Sequence, residues 1–317
     1  MKLALLFPGQ GSQAVGMGRD LFATSPAARR VFEAADEALG EKLSSIILEG
    51  PADELKRTKN TQPAILTMSV AVLHALEEKG GFERIKPSFV AGHSLGEYSA
   101  LVAAGAMDFQ DAVRAVRARG GFMQEAVPEG QGAMAAVLGL DAERIRQVVD
   151  DTSSPEAYVA CANFNGPEQT VIAGSARGIE NATAALKTAG AKRVMPLPVS
   201  APFHCALMSP VTQRLDEVLS PLTFLKPRFP VVTNAEAIAN EDPARIRELL
   251  VTQVTAPVRF TEMAAHMLGA GCDTFVEVGP GKALIGMVKR MPQAVTPKLL
   301  NVEDSSTLDA AVALLSG

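Results

Sequence analysis

The stretch Ser88-Phe89-Val90-Ala91-Gly92-His93-Ser94-Leu95-Gly96-Glu97 decides how this chain is read. Phe89, Val90 and Ala91 are an apolar run of the kind that ends a buried strand, and Tyr98 through Ala104 reads as the helix that follows. Gly92-x-Ser94-x-Gly96 lies between them. On a strand–turn–helix, this G-x-S-x-G spelling pushes the serine into the open beside the N–H groups of a helix N-terminus. The glycines suit a turn whose strand and helix backbones approach too closely for Cβ atoms. A plain glycine-flanked turn has the same spelling, so Ser94 is here a candidate nucleophile set against an ordinary turn.

The bulk composition narrows the options. A chain of 317 residues can bury a large core and hold more than one domain or subdomain. Its 47% hydrophobic and 21% charged residues are those of a soluble globular protein, and a net charge of -5 offers no basic surface for nucleic acid. Cys161, Cys205 and Cys272 match neither a zinc spacing nor a disulfide framework, which points to a reducing cytoplasm. The apolar start Met1–Phe7 stops at Pro8, short of the ~7–15 residues of a signal-peptide core, and reads as a first buried strand. No stretch approaches the ~18–20 apolar residues of a membrane span, so a soluble cytoplasmic protein is expected.

Strand Lys2–Phe7 runs into Pro8-Gly9-Gln10-Gly11-Ser12-Gln13, which lacks the third glycine of a dinucleotide fingerprint. Gly279-Pro280-Gly281-Lys282-Ala283 fails as a phosphate loop because no Ser or Thr follows the lysine. Both read as strand-end loops facing a common crevice. Thr61-Gln62-Pro63 opens a long helix through Leu76, and Asp108 caps another from Phe109. From Gly132 the pattern changes: strand 133–140, helix 142–149, strands 158–163 and 170–173, helix 179–187 and strand 193–197. That β-α-β-β-α-β order is the ferredoxin-like signature. The later strands near Val231–Thr233 and Thr274–Val278 resume the α/β pattern. The expected fold is therefore a mostly parallel α/β domain, residues 1–127 and 199–317, with an inserted ferredoxin-like subdomain at 128–198.

A serine hydroxyl needs a base, and there are four histidines. His266 points to the wet side of its helix, His74 sits late in an apolar helix, and His93 adjoins Ser94 on an elbow whose neighbours diverge. His204 differs. It opens a helix whose stripe is Met208, Val211, Leu215 and Val218, and one turn back from Met208 lands on it. At a helix N-terminus the macrodipole disfavours imidazolium, which leaves a neutral base that protonates, with loss of activity, on the acid side of neutrality. The competing reading is a hydrogen-bonded core histidine. No Asp or Glu declares itself as a third member.

The helix after Asp108 carries Arg114, Arg117 and Arg119. Its apolar stripe is Ala112, Val113 and Val116, and Arg119 falls back on that stripe while Arg114 and Arg117 face away. An inward guanidinium is costly without a partner. A snorkelling or ion-paired arginine and a bidentate clamp for a substrate carboxylate both satisfy the pattern.

These residues sit in segments that closely resemble the malonyl-CoA:acyl carrier protein transacylases of bacterial fatty acid synthesis. The matching segments are Phe7 through Gln13, Gly92 through Tyr98, Arg119 through Gln124, Asn163 through Asn165, Pro196 through Ser200, His204 through Met208 and Glu277 through Gly281. They run in order along nearly the whole chain. The resemblance implies an α/β-hydrolase-like large domain carrying the ferredoxin-like insert. It makes Ser94 the acylated nucleophile, His204 its base and Arg119 the ligand of the malonyl carboxylate. It also implies an oxyanion hole from the N–H groups of Gln10 and Leu95, and a main-chain carbonyl of Gln253 that orients the histidine. Asn163 would line the cleft, and Phe203 resembles the malonyl-selective form of related acyltransferase domains. Thr255-Ala256-Pro257 departs from the family's common Tyr-Asn-Pro. Malonyl-CoA and acyl carrier protein are the implied partners of an expected monomer, with neither metal nor other cofactor required. A thioesterase using the same Ser94–His204 pair, and a silent protein that only docks acyl carrier protein, are the competing functions. Cys205, beside the proposed base, is the rival nucleophile.

Overall fold

The computed structural model describes residues 1–80, 86–199, 201–292 and 296–315. Ser200, part of one motif quoted above, lies outside the described residues. Ten strands are described: β1 Leu3–Phe7, β2 Phe89–Gly92, β3 Gly132–Leu138, β4 Val159–Gly166, β5 Gln169–Ser175, β6 Arg193–Pro196, β7 Val231–Val232, β8 Ala239–Asn240, β9 Thr274–Val278 and β10 Lys298–Val302.

Six of them form one sheet in the order β10-β9-β1-β2-β7-β8. Every pairing in it is parallel except the short antiparallel edge β7–β8. A parallel sheet is covered on both faces, and its inner strands read as unbroken apolar runs rather than alternations. The sequence Leu-Ala-Leu-Leu-Phe of β1 is buried throughout. Leu3, Leu5 and Phe7 enter the core under helices Thr58–Glu78 and Phe109–Glu125. Ala4 and Leu6 enter a second core under helices Phe260–Gly269 and Ala283–Val288. The strand thus divides its side chains between two helical layers.

The second sheet is antiparallel, in the order β4-β5-β3-β6. Helices Ala142–Thr152 and Ala176–Thr188 cover one face of it, with a core of Ala135, Val137, Ile145, Val149, Ile172 and Leu186. This is the ferredoxin-like arrangement expected from the order of elements. It joins the larger sheet's layer where Phe164 N–H donates to Val258 O at 2.8 Å and Val258 N–H donates to Ala162 O at 2.9 Å.

Two local expectations are corrected. The long helix begins at Thr58, not at Thr61, and Pro63 lies inside it. Packing decides the start: a Cβ on Gly120 would stand 2.6 Å from Thr58 O, so the helix Phe109–Glu125 sits directly on this first turn. The stretch from His204 is not helical either. A 3-10 turn begins at Ala206 and the α-helix at Ser209, with Pro210 in its first turn.

Candidate active site

Ser94 occupies a tight elbow at the end of β2. Its φ is 53°, a left-handed conformation that non-glycine residues rarely hold. A Cβ on Gly92 would lie 1.9 Å from the carbonyl carbon of Gly96, and one on Gly96 would lie 2.1 Å from Phe7 O. Both positions admit glycine alone, and this crossing aims Ser94 away from the sheet. The Ser94 N–H donates to Asn234 Oδ1 at 2.7 Å.

His204 meets the serine from the opposite side. Its Nε2 is 2.7 Å from Ser94 Oγ, and its Nδ1 is 2.9 Å from Gln253 O. A carbonyl only accepts, so Nδ1 carries the proton and Nε2 presents a free lone pair to the serine hydroxyl. The ring is placed by a loop residue at φ 58°, not by the first turn of a helix. The reason it stays neutral is also different from the expected one. Burial, followed by the positive field of Arg119, pushes its pKa down to about 3.

Arg119 does lie inward, only 1% exposed. Its Nη1 donates to Gln62 Oε1 at 2.8 Å, and its Nη2 donates to Gln253 Oε1 at 2.8 Å and Ser94 Oγ at 3.1 Å. Its Nε has no partner, and among the described residues no carboxylate forms an ion pair with it. The charge is held by neutral oxygens and by the Tyr98 ring, whose centroid is 5.8 Å away. Burial lowers its pKa, opposed by Tyr98 and Glu97. Arg114 is exposed as expected, but Arg117 is not fully outward: it reaches Asn60 and Glu41.

These groups surround a cavity of about 100 Å³, further lined by Gln10, Leu95, Met123, Met134, Asn163 and Phe203. Among the described residues, the N–H groups of Gln10 and Leu95 donate to no protein acceptor. Ser94, His204, Arg119, Gln10, Leu95 and Asn163 therefore line one cleft, and Gln253 backs it through His204 and Arg119. The Gly279–Gly281 loop is not: a Cβ on Gly279 would meet Ser69 and Pro8, so it backs the Pro8 loop instead of facing the crevice. Cys205 is buried, its thiol donates to Pro202 O, and burial raises its pKa to about 11.

Residues 4–302 match the acyl transferase domain family. Over 314 residues the chain is 50% identical to the malonyl CoA-acyl carrier protein transacylase of Bacillus subtilis (strain 168), covering 99% of this chain and 97% of that one. The chain belongs to this transacylase family. The transacylase of Escherichia coli (strain K12) is 47% identical over 99% of each chain. A malonyl-transacylase solved in complex with a type II PKS acyl-carrier protein superposes with a TM-score of 0.94 at 44% identity, covering 99% of this chain and 100% of that one. An acyl carrier protein S-malonyltransferase from Vibrio cholerae gives 0.93 at 44% identity, covering 98% and 99%.

Several side chains that hold this transacylase cleft carry no motif of their own. Gln62 and the amide of Gln253 hold the guanidinium, Asn234 holds the Ser94 backbone, and Asn165 Oδ1 meets His93 Nε2 at 2.8 Å. His93 does diverge from Ser94, yet its ring still enters the cavity wall. Asn165 lay inside a quoted motif. Asn234 and Gln62 carried no local signal, because only the packing of distant segments brings their amides to the site. Glu97 directly follows the elbow's second glycine. It is buried, accepts from Asn234 and Gln253, and burial raises its pKa to about 7.

Proposed function

We propose that this chain moves a malonyl group from malonyl-CoA, through an ester on Ser94, to the phosphopantetheine thiol of an acyl carrier protein in fatty acid biosynthesis. It is an acyl-carrier-protein S-malonyltransferase. The observation that carries the reading is the meeting of the Ser94–His204 pair with a buried arginine 3.1 Å from the same hydroxyl and unmatched by any ion-paired carboxylate among the described residues. A serine with its base is common to many hydrolases. A buried cation beside it selects an acyl group that carries its own anion.

Ser94 Oγ attacks the thioester carbon while its proton passes to His204 Nε2. Collapse of the tetrahedral intermediate breaks the C–S bond, and the CoA sulfur leaves with that proton. In the second half the carrier thiol gives its proton to His204, its sulfur attacks the ester carbon, and Ser94 Oγ departs and is reprotonated. The Gln10 and Leu95 N–H groups stabilise the oxyanion in both halves, a contribution of roughly 10²–10³ in turnover per donor in comparable sites. Gln253 O keeps the His204 tautomer, Arg119 takes the malonyl carboxylate, and Asn163 lines the acyl cleft. No metal or redox cofactor enters these steps.

The same reading has the protein act as a cytoplasmic monomer, with residues 128–198 as the small subdomain and 1–127 with 199–317 as the catalytic domain. Among the described residues no helix is long and apolar enough to cross a membrane. Brief exposure to malonyl-CoA followed by mass spectrometry tests the core of it: one malonyl adduct on a Ser94 peptide, absent in Ser94→Ala. An adduct that persists in that variant, or that maps to Cys205, overturns the assignment. CoA release that is unchanged by adding acyl carrier protein identifies a hydrolase instead.

A further inference from the structure

The side chain of Gln253 is as firmly placed as its carbonyl. Its Oε1 accepts from Arg119 Nη2 at 2.8 Å, while its Nε2 donates to Ser94 O at 3.0 Å and to Glu97 Oε2 at 2.9 Å. Turning the amide over would set its NH₂ against the guanidinium and its oxygen against two acceptors. The orientation is therefore fixed by Arg119 on one side and by Ser94 O and Glu97 on the other. The same Glu97 Oε2 also accepts from Asn234 N at 2.9 Å and Asn234 Nδ2 at 2.6 Å.

Asn234 is locked in turn. Its second Nδ2 hydrogen goes to Gly92 O at 2.7 Å, and its Oδ1 takes the Ser94 N–H. One carboxyl oxygen thus ties together two amides, of which one holds the Arg119 fork and the other the nucleophile's backbone. Glu97, Asn234 and Gln253 are all buried, and none of the three lines the cavity. They act through the residues that do.

We propose that the Gln253 side chain and Glu97 are positioning residues that set the preference for malonyl by aiming the Arg119 guanidinium at the incoming carboxylate. The inference rests on the malonyl-transfer reading above. A bidentate pair depends on the angle of both partners, and small errors in placement are costly in a closed site. An acyl group without a carboxylate makes no bidentate pair, so the effect falls more heavily on malonyl than on acetyl.

The test measures kcat/KM for malonyl-CoA and acetyl-CoA in the full chain, with acyl carrier protein as acceptor. Gln253→Met keeps the backbone carbonyl that orients His204 and deletes only the amide. It is expected to lower malonyl kcat/KM on the order of 10-fold or more, and to lower the malonyl-to-acetyl ratio of kcat/KM by several-fold. Glu97→Met removes the shared acceptor and should reduce the malonyl-to-acetyl ratio in the same direction. Glu97→Gln still offers an oxygen to the same donors and should restore most of that ratio. Equal proportional losses for both substrates in Gln253→Met overturn the proposal, as does Glu97→Gln behaving like Glu97→Met. If Glu97→Met does not fold, Gln253→Met decides alone. Arg119→Ala in the same series separates the two levels: if it fails to discriminate between the substrates, the carboxylate-clamp reading itself is wrong, whatever the other variants do.

Discussion

Replacing Arg119 is the sharpest perturbation of the proposed chemistry. In the free site its guanidinium is 1% exposed and is met by three neutral oxygens, with Nε unpartnered. A malonyl carboxylate would add two charge-assisted bonds, each contributing roughly 1.5–3 kcal/mol. Losing both in Arg119→Ala costs about 3–6 kcal/mol, which at ~1.4 kcal/mol per decade is roughly 10²- to 10⁴-fold in malonyl kcat/KM. Acetyl forms no such pair, and removing the cation also relieves the field that acts on His204. Acetyl transfer is therefore expected to change little or to rise. Arg119→Lys keeps the charge but not the fork, so malonyl transfer should fall to an intermediate level. The assay is transfer to acyl carrier protein from each thioester, with thermal unfolding to confirm that each variant is folded. Losses in equal proportion for malonyl and acetyl would refute the clamp and leave Arg119 a structural residue.

Three further outcomes follow from the geometry. His204 is depressed to about 3, so acylation limited by chemistry should keep its rate from pH 8 down to about 5; an acid limb centred near 6.5 would show that the imidazole is not held neutral by burial and Arg119. Glu97 is raised to about 7, so the folded chain binds its proton more tightly than the unfolded chain, and this group's contribution to stability declines as pH rises from about 4.5 to 7. Glu97→Gln should accordingly gain on the wild type by on the order of 1 kcal/mol per pH unit across that window in denaturant titrations, and a pH-independent difference would contradict the shift. Gly96→Ala would press a methyl to 2.1 Å from Phe7 O, so acylation of Ser94 should drop by orders of magnitude; a variant with wild-type acylation would show that the elbow tolerates a Cβ.

Much of the site was legible in the sequence because its signals are local. The spacing of Gly92, Ser94 and Gly96 encodes a backbone crossing within five residues, and the crossing forms where it was expected. Arg119 was placed by helical period alone, since a stripe of Ala112, Val113 and Val116 repeats after two turns regardless of what packs on it. The alternation of strands and helices in the larger domain, and the order of strands and helices after Gly132, likewise specified a parallel sheet and a separate antiparallel one.

Periodicity misled at His204, where a plausible helical stripe was extended backward through a segment that is a left-handed turn followed by a 3-10 turn. The imidazole's direction is set by Gln253 O, forty-nine residues away, and its low proton affinity by burial and by Arg119, neither of which a local pattern carries. The amides of Gln62, Asn234 and Gln253 are the clearest case. In the sequence they are unremarkable polar residues. Hydrogen bonds have direction and a reach of about 3 Å, so their roles come into being only when the folded chain brings donors and acceptors from separate segments together. The sequence by itself determined the layers, the elbow and the residue types that could react. The tertiary structure alone decided how those groups are aimed, because aim depends on contacts between residues that the chain does not place side by side.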